Sequence, residues 1–231
     1  MIPPLHAWSV SVDEALNIQK SLRDQVKLSP YETSPTYIGG TDISFNRNED
    51  TFYAGIVVLD FHKLSLVSYS LITDKAPFPY IPGLLSFREI PALLRAWRNL
   101  EVVPDLVMLD GHGLAHPRRL GLASHFGLWI DKPTLGCAKK LLTGLHESPG
   151  IESPAHTPIY EKNEHIGFAL RSRTKVKPIF VSPGHLMDQD SALSICLRCI
   201  TRYRIPEPTR LAHQMVNLLR KGEIDAGAKS F

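Results

Sequence analysis

Tyr37-Ile-Gly-Gly-Thr-Asp-Ile-Ser-Phe45 and, past the polar turn Asn46-Arg-Asn-Glu-Asp50, Thr51-Phe-Tyr-Ala-Gly-Ile-Val-Val-Leu-Asp60 decide the architecture. Both runs are short, rich in β-branched and aromatic residues and bounded by turn formers, as strands are. Residues 65–72 add a third strand, and the short connections predict an antiparallel meander. Downstream the period changes. After Pro79-Tyr-Ile-Pro-Gly83, residues 84–100 place Leu85, Leu93, Leu94, Trp97 and Leu100 at helical spacing. The apolar run 106–109 reads as a buried strand, followed by a helix over 121–130 and a strand over 133–137. Further strands are expected at 165–171 and 178–182, and helices at 190–201 and 207–220. Upstream, Ser11-Val-Asp-Glu14 is a capping box opening a helix to about residue 27, with Ala15, Leu16, Leu22 and Val26 on one face. Strands first, then alternating strands and helices, predict an α/β fold whose mixed sheet carries helices on both faces. Residues 142–160 show no readable pattern and are expected as a surface excursion.

The 231 residues fit one domain, 1–231, and a chain of this size buries enough surface to need no disulfide or structural metal. Hydrophobic residues at 43% and charged residues at 21% are ordinary globular usage, which argues against disorder. The net charge of +3 permits a nucleic-acid partner without demanding one. Three cysteines, Cys137, Cys196 and Cys199, do not make a secreted disulfide framework. With no basic and apolar leader at Met-Ile-Pro-Pro-Leu-His and no apolar stretch of membrane-spanning length, a cytoplasmic protein without a membrane partner is expected.

Three acids stand where they could do chemistry. Asp42 lies inside the first strand among apolar neighbours, an expensive place for a charge that nothing compensates. Asp110 ends the buried strand in Val-Met-Leu-Asp-Gly-His-Gly, and ligands gather at the carboxyl ends of such strands. Glu89 falls on the helix between them. If the first and fourth strands are parallel neighbours, Asp42 and Asp110 could share one divalent ion, and magnesium suits a site of few carboxylates. Each acid taken alone also reads as a cap, a turn former or a surface charge. On the last helix, Leu211, Ala212, Met215, Val216, Leu218 and Leu219 form one face, while His213 points away among Thr209, Asn217 and Arg220.

Phe78-Pro-Tyr-Ile-Pro-Gly-Leu-Leu-Ser-Phe-Arg-Glu89, Asp110-Gly-His-Gly-Leu-Ala-His-Pro-Arg118, Gly121-Leu-Ala-Ser-His-Phe-Gly127, Pro133-Thr-Leu-Gly-Cys-Ala-Lys139, Ser182-Pro-Gly-His185 and Arg204-Ile-Pro-Glu-Pro-Thr-Arg210 resemble the endonuclease V family, in order over nearly the whole chain. The resemblance implies a ribonuclease H-like fold in which the first and fourth strands are parallel neighbours. It implies Asp42, Asp110 and Glu89 as metal ligands for Mg2+, with Mn2+ as a substitute. Lys139 would be a cation offsetting transition-state charge, and His213 a helper near the metal. Pro79-Tyr80-Ile81-Pro82 would be a strand-separating wedge. Gly83, Leu85, Gly111, Gly113, His116 and Leu122 would surround a pocket for a flipped, deaminated base, chiefly hypoxanthine. The activity implied is hydrolysis of the second phosphodiester bond 3′ to the lesion, leaving a 3′-hydroxyl and a 5′-phosphate, by a monomer acting on DNA. Inosine-containing RNA stays open as a second substrate.

Other chemistry is set aside. Cys196-Leu-Arg-Cys199 has half the spacing of a zinc site but lies on an apolar helix face with Ala192, Leu193 and Ile200. His112 and His116 lack the helix and glutamate of a zinc protease, and no Walker A loop, dinucleotide fingerprint or Gly-x-Ser-x-Gly elbow occurs. A reader of inosine that does not cut and a junction resolvase sharing the acids remain the competing readings. The second gives no reason for the Pro-Tyr-Ile-Pro loop.

Overall fold

The computed structural model describes residues 4–46 and 49–231. The expected turn at 46–50 therefore falls partly outside the described residues. Strands β1 (Tyr37–Phe45), β2 (Thr51–Asp60) and β3 (Leu66–Lys75) form the antiparallel meander. After helix α2 (Leu85–Arg98), β4 (Leu106–Leu109) pairs parallel with β1, in the register Ile38↔Leu106 to Thr41↔Leu109. Helix α3 (Leu122–Ile130) leads to β5 (Thr134–Ala138), parallel to β4. Strands β6 (Leu145–His146), β7 (Ala155–Glu161), β8 (Glu164–Arg171) and β9 (Ile179–Pro183) extend the sheet beyond β5, all antiparallel. Helices α4 (Gln189–Arg198) and α5 (Glu207–Arg220) follow, and β10 (Gly227–Ser230) returns to the outer edge of β3.

Side-chain alternation along the central strands separates two cores. Ile38, Val57, Leu106 and Met108 face α4 and α5, where Ala192, Cys196 and Ala212 meet them. Ile56, Val58, Val107 and Leu109 face α2 and α3, against Ile90, Leu93 and Phe126. The mixed sheet with helices on both faces is thus the arrangement expected. All three cysteines are free and buried in the first core, so they pack rather than bind. Among the described residues no helix is long and apolar enough to cross a membrane.

Three expectations change. Helix α1 (Val12–Leu22) has the Ser11–Glu14 capping box but ends early, passing into a 3-10 turn at Arg23–Gln25. Residues 142–160 are not a bare excursion, because β6 and β7 lie there and add two strands. Thr209 of α5, grouped by sequence with the outward His213, is buried where the helix meets the sheet. Helix α5 lies very close to β1. A Cβ at Gly40 would stand 2.1 Å from the Pro208 carbonyl oxygen, so glycine is what lets helix and strand approach.

Candidate active site

The parallel register of β1 and β4, carried one residue past Thr41↔Leu109, sets Asp42 beside Asp110. Glu89 comes from the second turn of α2, which packs over the same end of these strands. All three acids line one cleft of about 100 Å³, closed on its apolar side by Leu93 and Leu122.

The electrostatics of this cleft are unbalanced. Burial, then the charges of Asp42 and Asp110, push the Glu89 carboxyl up to about 8, with Arg88 opposing. Glu89 remains half-buried by surface, since part of it opens toward the cleft. Asp42, 7% exposed, is raised chiefly by burial and then by Asp110, against the hydrogen bond from His213. Like charges crowded away from water cannot all ionise without a cation.

The protein supplies one cation, Lys139, and one histidine N–H. Lys139 Nζ donates to Asp110 Oδ2 at 2.5 Å, and His213 Nδ1 meets Asp42 Oδ2 at 3.0 Å. Burial works to lower Lys139, but the charge and hydrogen bond of Asp110 outweigh it and hold it above the usual lysine range. The bond to Asp42 likewise lifts His213 above the usual imidazole range, against burial. Arg220 donates twice to Asn217 Oδ1, so the Asn217 amide turns its NH2 toward His213 Nε2 at 3.0 Å. Nε2 then accepts, and the ring proton sits on Nδ1, pointing at Asp42.

No ion pair among the described residues reaches Glu89. Nor do any three His, Cys, Asp or Glu side chains there gather tightly enough to hold an ion as they stand. The expected cluster is therefore a shared cleft rather than a finished coordination shell, with Lys139 and His213 engaging two of the acids. The donor chemistry fits a hard divalent cation, since every acidic ligand offers carboxyl oxygens and Glu89 has no ion-pair partner among the described residues.

A second, more apolar pocket of about 200 Å³ adjoins the cleft across Leu122, which lines both. Gly83, Leu85, Gly111 and His116 line it, as do Tyr80, Ile81 and Pro82 at its rim. Tyr80 is 68% exposed, so its ring projects from the loop instead of filling the core. Pro79 does not line the pocket. Gly113 does not either: it sits behind the wall, where a Cβ would meet the Pro183 carbonyl oxygen at 2.0 Å. His116 Nε2 donates to Gly83 O at 3.0 Å while Nδ1 accepts from Arg118 N at 3.1 Å, which fixes a neutral ring. Burial, then the Arg118 charge, accordingly pull it down to about 4.

Several residues at these sites escaped the sequence reading. Ser86 lines the pocket and bonds His125 Nδ1 at 3.0 Å, and His125 Nε2 meets His6 Nε2 at 2.8 Å. His6 Nδ1 donates to Ala7 O at 2.7 Å, so its other nitrogen accepts from His125, and His125 in turn accepts from the Ser86 hydroxyl. Gln19 of α1 also lines the pocket. Its signal was present: 15, 19 and 22 share one helix face, and a glutamine between buried Ala15 and Leu22 needs partners. Helical spacing places Asn217 beside His213 but gives no sign that its amide bonds the ring.

The sequence profile of the Endonuclease V family matches residues 20–214. Endonuclease V of Petrotoga mobilis is 45% identical over 218 residues, covering 94% of this chain and 98% of that one. The crystal structure of Endonuclease V from Streptomyces avermitilis superposes with a TM-score of 0.88 at 39% identity, over 94% of this chain and 96% of that one. Ciona intestinalis Endonuclease V, solved with a 24mer DNA containing an inosine followed by a ribo-adenosine, superposes with a TM-score of 0.82 at 29% identity, over 92% of this chain and 98% of that one. The fold is ribonuclease H-like. The chain belongs to the endonuclease V family of metal-dependent nucleases.

Proposed function

We propose that this protein is a magnesium-dependent endonuclease that recognises a deaminated base, chiefly hypoxanthine, and hydrolyses the second phosphodiester bond on its 3′ side. The observation that carries the reading is the meeting, across Leu122, of a three-carboxylate cleft and an apolar pocket rimmed by an exposed tyrosine. Family membership and the inosine in the DNA bound to the Ciona protein support it. In this reading the whole chain, 1–231, works as one domain and as a monomer.

Asp42 and Asp110 would hold the ion, with Glu89 completing the acidic set; manganese would substitute. When bound, such an ion lowers the pKa of water and polarises phosphate. Lys139 keeps its ammonium at the cleft, where it can balance charge growing on a phosphate. His213 holds its Nδ1 proton on Asp42, which orients that carboxylate and keeps it from turning away. Tyr80 and Ile81, stiffened by Pro79 and Pro82, would enter the base stack as a wedge. The lesion, weakly paired, costs little to flip into the pocket lined by Gly83, Leu85, Gly111, His116 and Leu122, which Gly113 backs.

The test is nicking of an inosine-containing duplex, with and without magnesium, by wild type and Asp110→Asn, using ribose and deoxyribose at the 3′ side of the inosine. Metal-dependent cutting abolished in the variant is expected. A wild type that retains inosine DNA but never cuts it would favour a reader, and cutting only beside ribose would make RNA the substrate.

A further inference from the structure

Helix α1 carries none of the acids, yet its buried Gln19, 1% exposed, reaches both walls of the apolar pocket. Gln19 Nε2 donates to Gly83 O at 3.0 Å and to Leu120 O at 3.2 Å. Gly83 lies two residues before the start of α2, and Leu120 two residues before the start of α3. Gln19 Oε1 accepts from Arg118 Nε at 2.5 Å, which fixes the amide the right way round. Arg118 Nη2 then donates to the same Gly83 oxygen at 2.7 Å, beside His116 Nε2 at 3.0 Å. Three donors thus converge on one carbonyl, and they hold the residue that needs a positive φ of 80° between the exposed Tyr80 loop and α2.

What the amide ties together matters to a ligand. Neither α2 nor α3 has a side-chain cap; Phe87 N–H turns back to Leu84 O and Ala123 N–H donates to His112 O, while no hydrogen bond among the described residues takes the Leu85 or Leu122 N–H. Leu85 and Leu122, the first residues of these helices, line the pocket from the two sides. A side chain from a third helix thus links the segments that lead into these two helix starts.

We infer that Gln19 is a positioning residue that fixes the width of the base pocket by bracing the start of α2 to the α3 side, and so contributes to selection of the flipped base. This rests on the pocket reading proposed above. It acts through Gly83 and Leu120 and touches no reacting atom. Losing one neutral hydrogen bond in such a network is worth about tenfold in an equilibrium.

The experiment compares wild type with Gln19→Leu, which keeps the volume and loses the amide, and Arg118→Lys, which loses the fork that orients it. Steady-state nicking is measured on duplexes carrying inosine or adenosine at one position, with thermal melts alongside. We expect KM for inosine DNA to rise about tenfold and inosine-to-adenosine discrimination to fall by a similar factor, while kcat and the magnesium midpoint hold within about twofold. A merely structural role would lower the melting temperature and the active fraction, leaving KM and discrimination unchanged, and that result overturns the inference. If Gln19→Leu does not fold, the same reading of Arg118→Lys decides. A selective wild type with an equally selective folded variant removes the brace alone, whereas a wild type indifferent to inosine removes both proposals.

Discussion

Alanine at Gly40 would test how the last helix is held against the first strand. The added Cβ would lie 2.1 Å from the Pro208 carbonyl oxygen and 2.2 Å from its carbonyl carbon. Both are backbone atoms at the head of α5, so no rotamer change relieves the clash. Ordinary contact begins at 3.4 Å, so strand and helix must part by more than 1 Å. Overpacking of a core costs about 1–3 kcal/mol, and with backbone resisting on both sides the upper end applies. For a domain of this length that is a fall in Tm of roughly 6–12 °C. Asp42 lies two residues along β1, and His213 lies on α5 with a 3.0 Å bond to it. Parting the elements cuts this bond, and misplacement by ~1 Å costs on the order of a hundredfold in rate. Thermal melts and nicking rates of Gly40→Ala, His213→Ala and the double variant measure both effects. If the rate loss runs through His213, the double variant is no slower than the worse single one. A Gly40→Ala protein that melts and cuts like wild type would refute the reasoning.

Glu89 makes stability depend on pH. Its folded value of about 8 exceeds the ordinary 4.5, so between these values the folded chain keeps a proton that the unfolded chain releases. Stability of the metal-free protein therefore falls as pH rises from 4.5 to 8 and levels off above. Glu89→Gln should melt higher in chelator by about 1–3 kcal/mol at pH 8, a figure discounted for the side open to solvent, and the gap should vanish near pH 4; a gap independent of pH would contradict this. Lys139→Ala is expected to lower kcat about a hundredfold with little change in KM, while magnesium binding to the DNA-free chain tightens as Asp110 is released; calorimetry showing weaker magnesium binding would count against the account. Tyr80→Ala should shift stability by less than about 0.5 kcal/mol, since the ring is exposed, and should weaken retention of inosine DNA without altering metal binding. Unchanged affinity for that DNA would remove the wedge.

The legible parts of the fold were those whose signal is local. The limits of β1, β2, β4 and α5 follow from apolar runs and punctuation, and the structure has the same bounds. β10 was invisible because Gly-Ala-Lys-Ser is exposed throughout and has no alternation to read. It is a strand only because β3 offers a free edge, an effect of tertiary context. β7 within 142–160 likewise borrows its form from β8. At the candidate site, the nearness of Asp42 and Asp110 could be argued from parallel pairing. That Lys139 and His213 would already sit on two of the acids could not, because it depends on where β5 ends and how α5 crosses β1. Gln19 was readable as a misfit on an apolar face but not as a link between two walls, since its partners lie 64 and 101 residues away.

The pairing of β1 with β4 joins Ile38 to Leu106, and His213 stands 171 residues beyond Asp42. A chain still emerging from the ribosome thus holds its first acid long before the others exist. The cleft is complete only once segments this far apart in the chain have docked. Recovery of activity after denaturation therefore reports completion of the whole fold rather than any part of it.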